Sequence, residues 1–252
     1  EQDNINEQRL AMFVGGCVRK DLSNKEIDDI DIATVFTTEQ IKDKFNNTKF
    51  KVVDSGVRHG TVTLISSRLK LELTTLRKDL KTDGRHADVE YINDWQINSE
   101  RRDFTINAIY LDNKGKIFDP QGGVNDLKNN FVKFIGNPQK RIQEDYLRII
   151  RLIRFSLEYG SEIEEKIAQI VKLNLDGIKK ISKERILNEL FKILQIEHFI
   201  KINNKRNLKE LFILIFPELK NLDRLKRLDK ISKTSEFSKE ILLSVILIDN
   251  KD

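Results

Sequence analysis

Short apolar runs broken by turn-forming residues occupy the chain between residues 10 and about 120. The runs LAMFVGG, TVTLISS and LKLELTTL are rich in β-branched and aliphatic side chains, and their length is typical of β-strands. Apolar and polar residues alternate across residues 61–76, which predicts a hairpin with its turn near Ser66, Ser67 and Arg68. The N-terminal part of the chain is therefore predicted to contain a β-sheet.

In the second half of the chain the apolar residues recur at helical spacing. The stretch EDYLRIIRLIRFSLEYG, residues 144–160, predicts a helix closed by Gly160 as a C-terminal cap. Two amphipathic helices are predicted on either side of Gly177, and the second begins at Ser182. The chain from residue 196 onward predicts three further helices. This part is therefore predicted to be all-α.

The composition indicates a highly charged globular protein. Of 252 residues, 39% are hydrophobic and 34% are charged, and 45 basic against 40 acidic residues give a net charge of +5. This balance is a weak indication of a polyanionic partner. Cys17 is the only cysteine, which excludes an intrachain disulfide, and His59, His86 and His198 lack the spacing of metal ligands. No apolar run approaches the roughly 20 residues of a membrane span, so no membrane partner is expected.

Three aspartates stand inside the apolar stretch EIDDIDIATVF, residues 26–36. On a strand, Asp29 and Asp31 project from one face while Ile30 and Ile32 point to the core. Two carboxylates on one side repel each other unless a cation compensates their charge, and oxygen ligands suit hard divalent cations. Solvated aspartates on an edge strand are the alternative.

A third carboxylate, Glu72, lies in the middle of the apolar run LKLELTTL. Its neighbours Leu71 and Leu73 would take the buried face and leave Glu72 on the opposite one. If this strand pairs beside the strand that bears Asp29 and Asp31, the three carboxylates converge. A solvent-facing glutamate is equally compatible with the spacing.

Two further stretches contain residue types that bind nucleotides. In FVGGCVRKDL, Gly15 and Gly16 leave backbone N–H groups accessible to an anion, and Arg19 could reach the same anion. A tight strand-to-helix turn is the alternative. In SERRDFTINAIYLD, a helix-like apolar segment follows Arg102 and Asp103, which could bind phosphate and a ribose hydroxyl. A charged helix N-terminus explains this second stretch equally well.

The stretch RIQEDYLRIIRLIRF predicts one helix with a charged ridge. Residues recurring every three positions form this ridge: Asp145, Arg148, Arg151 and Arg154, with Glu144 pairing to Arg148. Arginine in a lysine-rich chain indicates planar, bidentate recognition. An aspartate and an arginine one turn apart could read the edge of a nucleobase by hydrogen bonds.

In this order the motifs resemble those of the class II tRNA nucleotidyltransferases and the bacterial poly(A) polymerases, a branch of the polymerase-β-like nucleotidyltransferases. The resemblance covers about residues 10–195 and includes GGCVR, DDIDIAT, LELTTLRKD, RRDFTINAIYLD, FDPQGGVNDL and ISKERILNEL. It implies an α+β protein with a nucleotidyltransferase head, a mixed β-sheet flanked by helices, over residues 1–120. An all-α neck for nucleotide selection would follow over 121–195, and a short helical body that binds RNA over 196–252. The change of pattern places the boundary between head and neck at Pro120 to Gly123.

The resemblance also implies the roles of the site residues. Asp29 and Asp31 would hold two Mg²⁺ ions, and Glu72 would be the third catalytic carboxylate. The triphosphate and ribose would be bound by Gly15, Gly16, Arg19, Arg102, Asp103 and Asn107. Base selection would rest on Asp145 and Arg148, with further nucleotide or RNA contacts from Arg151 and Arg154. One departure is Lys20, where many members carry an aspartate.

The implied activity is template-independent addition of CCA to tRNA 3′ ends from CTP and ATP, with release of pyrophosphate. Residues 76–95 resemble the flexible loop of CCA-adding and A-adding members, which disfavours CC-only addition. Poly(A) synthesis and A-only addition remain open, and a catalytically silent RNA-binding module is a remote alternative. The expected location is the bacterial cytoplasm or the mitochondrial matrix, and a homodimer remains open.

Overall fold

The computed structural model describes residues 9–56, 60–82, 87–197, 199–228 and 237–247. These residues divide into two compact units. The first contains the described residues up to Asn129 together with Lys133–Ile135, and the second contains Asn130–Val132 and the described residues from Gly136 onward. All three histidines lie outside the described residues, so their predicted lack of a metal role stays a prediction.

A seven-stranded mixed sheet forms the centre of the first unit. The strands described are β1 (Ala11–Val14), β2 (Ile30–Thr34), β3 (Lys51–Gly56), β4 (Thr61–Ile65), β5 (Lys70–Thr75), β6 (Arg77–Thr82), β7 (Ala87–Tyr91), β8 (Tyr110–Leu111) and β9 (Ile117–Phe118). Their order in the large sheet is β3-β4-β5-β2-β1-β8-β9, and β6 pairs with β7 separately. Only β2 and β5 run parallel in the large sheet, among the pairs described.

The helices of the first unit are α1 (Gly16–Leu22), α2 (Thr38–Phe45), α3 (Trp95–Glu100) and α4 (Gly123–Lys128), as far as the structure describes it. Alternate residues of β4 and β5 point to one face, where Val62, Leu64 and Leu73 are buried against Ile41 of α2. Each fully buried aliphatic side chain contributes about 1.5–3 kcal/mol relative to exposure. This packing confirms the predicted hairpin and leaves Glu72 on the other face.

The second unit is all-α across its described residues. Its helices are α5 (Pro138–Glu144), α6 (Leu147–Glu158), α7 (Glu165–Leu173), α8 (Lys183–Leu194), α9 (Arg206–Ile215), α10 (Leu225–Leu228) and α11 (Lys239–Leu247), with short 3₁₀ turns between them. Helix α6 is the most buried of these and packs against α5, α8 and α9. The predicted cap at Gly160 is confirmed by its φ of 67°, and the helix start at Ser182 is confirmed as well.

Two predicted helices are wrong in detail. The stretch that contains Asp145 is not one helix, because α5 ends at Glu144 and Asp145 has the extended angles φ −153° and ψ 105°. The Asp145 carboxylate accepts a hydrogen bond from the Leu147 N–H at 3.1 Å, which satisfies a free donor at the start of α6. The apolar segment after Asp103 forms only a 3₁₀ turn, Thr105–Asn107, before β8 begins.

The first unit extends beyond the boundary expected at Pro120 to Gly123, because α4 packs on the 3₁₀ turn of the head. A Cβ atom on Gly123 would overlap the Thr105 carbonyl, so only glycine permits this approach. The Thr105 hydroxyl donates to Asp126 Oδ2 at 2.8 Å, and the Ile135 N–H donates to the Asp103 carbonyl at 3.1 Å. The expected division between neck and body at residue 196 stays a prediction.

Candidate functional site

Parallel pairing of β2 with β5 places Asp31 directly beside Glu72. Residues in register on neighbouring strands point to the same face of a sheet, so the two carboxylates share one face. Asp29 lies one residue before β2 and is exposed. The strand pairing on which the predicted carboxylate cluster depended is therefore confirmed. Glu72 is half-exposed, and Lys70 lies 3.3 Å from its Oε1.

The charge balance around Asp31 is unfavourable to a bare carboxylate. Desolvation is the largest cause that raises the pKa of Asp31, and the nearby charges of Glu72 and Asp29 raise it further. Arg102 and Arg19 act in the opposite direction, but the net effect is a raised pKa. The cluster thus holds negative charge that the protein itself does not fully compensate, and a cation would relieve the repulsion.

The donor set fits Mg²⁺ completed by substrate oxygens. Mg²⁺ prefers oxygen ligands, keeps several waters, and is commonly bound by one or two carboxylates together with substrate phosphates. Across the part of the chain that the structure describes, three or more His, Cys, Asp or Glu side chains do not group into an all-protein metal site. Asp29 and Asp31 could therefore supply only part of a ligand set, and their role as Mg²⁺ ligands stays a prediction.

Gly15 joins β1 to α1 at a point where a side chain would be strained and would crowd Arg102. Its φ of 75° and ψ of −124° form a backbone conformation that L side chains rarely adopt. A Cβ atom here would lie 3.2 Å from Arg102 Nη1 and 3.7 Å from Asp31 Oδ2. Gly16 begins α1, and a Cβ there would meet no atom within 4 Å. Gly15 therefore brings the backbone between the carboxylate cluster and Arg102.

Arg19, Asn107 and Asp103 form one buried hydrogen-bond chain. Arg19 Nη1 donates to Asn107 Oδ1, and Asn107 Nδ2 donates to Asp103 Oδ1 at 2.8 Å. Arg102 Nη1 donates to the Asn107 carbonyl at 3.1 Å. All four predicted residues thus meet in the first unit. Since Arg19 is only 5% exposed, its direct contact with a phosphate stays a prediction, whereas its contact with Asn107 is a feature of the fold.

A residue that the sequence patterns did not single out, Arg77, joins Arg101 and Arg102. Burial is the main cause that lowers the pKa of Arg101 to about 9, and the positive charges of Arg77 and Arg102 lower it further. Arg77 also lies 3.5 Å from Asp79. Three guanidinium groups close enough to affect one another favour a polyanion nearby. The position of Arg77 in the LELTTLRKD motif was the available sequence signal for its role.

Lys20 and Asp28 form an ion pair at 2.6 Å, outside the carboxylate cluster. The hydrogen bond from Lys20 is the main cause that lowers the pKa of Asp28. Lys20, which stands where many family members carry an aspartate, therefore pairs with Asp28. The environment of Asp28 differs from that of Asp31, although both lie in one short stretch. This contrast makes Asp28 a useful control position.

In the second unit, the charged residues near the break between α5 and α6 are held by specific partners. Arg185 Nη2 of α8 donates to Asp145 Oδ2 at 2.7 Å. Arg148 Nη1 donates to Glu144 Oε2 and to the Arg141 carbonyl, both at 2.6 Å. The predicted pairing of Glu144 with Arg148 is confirmed. Arg148 and Asp145 thus have separate partners in this structure.

Arg151 and Arg154 both contact Glu189 of α8. Arg154 Nε donates to Glu189 Oε2 at 2.7 Å, and Arg151 Nη1 lies 3.6 Å from Oε1. Burial opposes ionisation of Glu189, but the two arginines outweigh it and lower its pKa. Arg154 is also stacked over Phe155 at 3.9 Å. The predicted charged ridge is therefore part of an ion-pair network, and its nucleotide contacts stay predictions.

Sequence reasoning did not identify Arg185 and Glu189 as partners of these residues. They lie four positions apart on α8, inside the ISKERILNEL motif, so both lie on the same face of the helix. The available signal was this opposite-charge pair on an amphipathic helix. Their partners were not readable, because pairing across 35 and 40 residues of sequence depends on how the helices pack.

Gly177 allows Tyr146, the residue after Asp145, to pack closely. A Cβ atom on Gly177 would overlap the Tyr146 ring. We expect Gly177→Ala to lower the free energy of unfolding by about 1–3 kcal/mol, the usual cost of overpacking, as measured by urea denaturation. Asp176→Ala, a change at the exposed neighbouring residue, should leave this free energy nearly unchanged. Equal stability of Gly177→Ala and the parent would contradict the close approach.

Comparison with known proteins yields two family matches. Residues 11–133 match the family described as the poly A polymerase head domain, and residues 160–222 match the one described as a probable RNA and SrmB-binding site of polymerase A. The mitochondrial CCA tRNA nucleotidyltransferase 1 of Danio rerio is 43% identical over 201 residues, which are 78% of this chain and 46% of the relative. The chain thus spans about half the length of this relative.

Two solved structures are similar over 96% of the chain. The CCA-adding enzyme of Bacillus stearothermophilus in complex with CTP has a TM-score of 0.69 and 28% identity, and 62% of its chain is covered. A tRNA nucleotidyltransferase complexed with a primer tRNA and an incoming ATP analog has a TM-score of 0.76 and 27% identity, with 73% covered. No helix among the described residues is both long and apolar enough to span a membrane.

The mixed sheet that carries the paired carboxylates beside the Gly15 turn lies within residues 11–133, which have the fold class of a poly A polymerase head domain. The helical residues that follow match the second model of the same class. The chain belongs to the CCA-adding enzyme family.

Proposed function

We propose that this protein adds CCA to tRNA 3′ ends from CTP and ATP without a nucleic-acid template. The observation that carries the proposal is the register of Asp31 with Glu72 beside Gly15 and Arg102, because it joins a carboxylate pair to a glycine turn and a guanidinium group. Support also comes from relatives whose names state CCA addition and from similar structures that hold CTP or an ATP analog with tRNA.

Each group of head residues has a task in this reaction. Asp29 and Asp31 would hold the Mg²⁺ ions, with Glu72 as the third carboxylate. When bound, Mg²⁺ supplies activation of the RNA 3′-hydroxyl and neutralises charge on the triphosphate. The backbone of Gly15 and Gly16 would bind phosphate oxygens, since neither residue has a side chain that blocks the approach.

The remaining head residues orient the nucleotide. Arg102, beside Arg77 and Arg101, would neutralise phosphate charge, which electrostatic catalysis of phosphoryl transfer requires. Asp103 and Asn107 would bind the ribose, and the hydrogen bond from Asn107 to Asp103 already orients one Asp103 oxygen. Arg19 would support this group through its contact with Asn107.

In the second unit, Asp145 and Arg148 would select the base. Cytosine and adenine both present an amino group and a ring-nitrogen acceptor on their pairing edges, so one acceptor side chain and one donor side chain suit both. Arg151 and Arg154 would add nucleotide or RNA contacts. The match of residues 160–222 to an RNA-binding model supports tRNA contact by this unit.

The test uses three labelled tRNA transcripts, which end before CCA, after CC and after CCA, with Mg²⁺ and with CTP and ATP supplied separately and together. On the transcript that ends before CCA, we expect two C residues and then one A residue to be added, after which addition stops. One A residue added only after CC would instead identify an A-adding enzyme. RNA binding without any incorporation would identify a silent binding module.

Poly(A) synthesis is the second candidate, because residues 11–133 match a head domain named after poly(A) polymerases. This activity predicts a ladder of A residues on all three transcripts that CTP does not affect. The location, bacterial cytoplasm or mitochondrial matrix, rests on the sources of the relatives. A homodimer stays a prediction.

A further inference from the structure

Both oxygens of the Asp145 carboxylate are already in use, although Asp145 lies in a helix break. Oδ1 accepts the Leu147 N–H at 3.1 Å, and Oδ2 accepts Arg185 Nη2 at 2.7 Å. One partner is the backbone two residues away, while the other reaches across 40 residues from α8. The side chains of Asp145 and Arg185 are 20% and 30% exposed, so the pair is partly shielded from solvent.

The two contacts have different consequences for orientation. Asp145 has an extended backbone between two helices, and a hydrogen bond from the Leu147 N–H alone would allow the carboxylate to rotate about that bond. A second, charge-assisted bond to the other oxygen removes this freedom. Arg185 of α8 then fixes the plane of the Asp145 carboxylate, and the remaining lone pairs of its oxygens point in a fixed direction.

We propose that Arg185 is a positioning residue that determines discrimination between amino-bearing and keto-bearing bases. The proposal rests on the proposed function, in which Asp145 reads the base. A carboxylate whose oxygens are oriented by a cation accepts from the amino group of cytosine or adenine. Uracil and guanine present a carbonyl oxygen at the same position, and two acceptors that face each other cannot form a hydrogen bond, so these bases are disfavoured.

The partners of Arg148 are different from those of Asp145, so the two base-reading residues are oriented independently. Glu144 and the Arg141 carbonyl hold Arg148 from the α5 side, whereas Arg185 holds Asp145 from α8. The acceptor and the donor are therefore oriented by different elements. A change at Arg185 should alter the acceptor side of base reading and leave the partners of Arg148 in place.

The experiment compares kcat/KM for CTP and UTP on a tRNA transcript that ends before CCA, using the full chain and Mg²⁺. For Arg185→Gln we expect the CTP-to-UTP ratio to fall about tenfold, the size of one lost base contact, mainly through KM for CTP. Arg185→Lys keeps the cation without the planar fork and should restore part of the ratio. Because a ratio does not depend on the fraction of folded enzyme, partial unfolding cannot imitate this result.

The matched control is Lys183→Gln, which removes the same charge from an exposed residue of the same turn of α8. Its CTP-to-UTP ratio should equal that of the parent. A parent-like ratio in both Arg185→Gln and Arg185→Lys would overturn the proposal and leave Arg185 as a structural contact. A parent protein that adds neither C nor A would instead contradict the proposed function.

Discussion

Asp31→Asn is expected to reduce the rate of CTP incorporation by about 10³-fold or more. Stabilisation of transition-state charge by metal ions supplies several kcal/mol, and each 1.4 kcal/mol corresponds to a factor of ten in rate. The reduction should appear in kcat, measured under saturating CTP on a transcript that ends before CCA. Asp29→Asn should have a similar effect, since Asp29 supplies the other carboxylate.

The same substitution should not destabilise the protein. The pKa of Asp31 is raised in the folded state, so the folded chain binds a proton at this carboxylate more strongly than the unfolded chain does. Stability from this group therefore declines as the pH rises from 3.8 through the folded pKa, above which the penalty has its full size. Asp31→Asn removes that ionisation. We expect its Tm at pH 7 to exceed that of the parent, and the gain to shrink as the pH falls through the folded pKa and to vanish below 3.8.

Two further measurements separate metal binding from folding. Mg²⁺ should raise the Tm of the parent, because a ligand that binds only the folded state stabilises it, and should raise that of Asp31→Asn less. Asp28→Asn is the control, since it removes a carboxylate and its ion pair with Lys20 from the same stretch, while the asparagine oxygen can still accept the Asp29 N–H. It should retain turnover and lose a little stability at neutral pH. Turnover of Asp31→Asn within tenfold of Asp28→Asn would contradict the assignment.

Gly15→Ala is expected to have the second-largest effect. A Cβ atom at φ 75° costs about 1–3 kcal/mol of backbone strain, and here it would also crowd Arg102 Nη1 at 3.2 Å while touching Asp31 Oδ2 at 3.7 Å. We expect kcat/KM for both CTP and ATP to fall about 100-fold, because small displacements of positioning groups cost that much, together with a lower Tm. Steady-state kinetics with each nucleotide measures the first effect and thermal denaturation the second.

Gly115→Ala distinguishes strain from crowding. Gly115 has a φ of 78°, close to that of Gly15, but a Cβ atom there would meet no atom within 4 Å. It should lower the Tm while leaving both kcat/KM values near those of the parent. If Gly115→Ala and Gly15→Ala reduced activity equally, the loss would come from instability, and the contact with Arg102 and Asp31 would have no special role.

Local pattern in the sequence determined much of the fold. Period-two alternation places Leu71 and Leu73 on the buried face and Glu72 on the other, because successive strand residues point in opposite directions. The glycine at 160 and the serine at 182 mark helix ends for equally local reasons of backbone geometry. Such features depend on a few neighbouring residues, so they can be read without knowledge of the tertiary structure.

Tertiary structure alone decided which of these residues meet. Asp31 lies beside Glu72 because two distant strands run parallel in one register, and the carboxylate spacing in the sequence allowed a solvent-facing Glu72 equally well. The break at Asp145 and the contact with Arg185 were not readable either. The break coincides with the hydrogen bond from the Leu147 N–H to Asp145, which competes with the helical periodicity of the stretch, and the packing of α8 in the second unit fixes which charges pair.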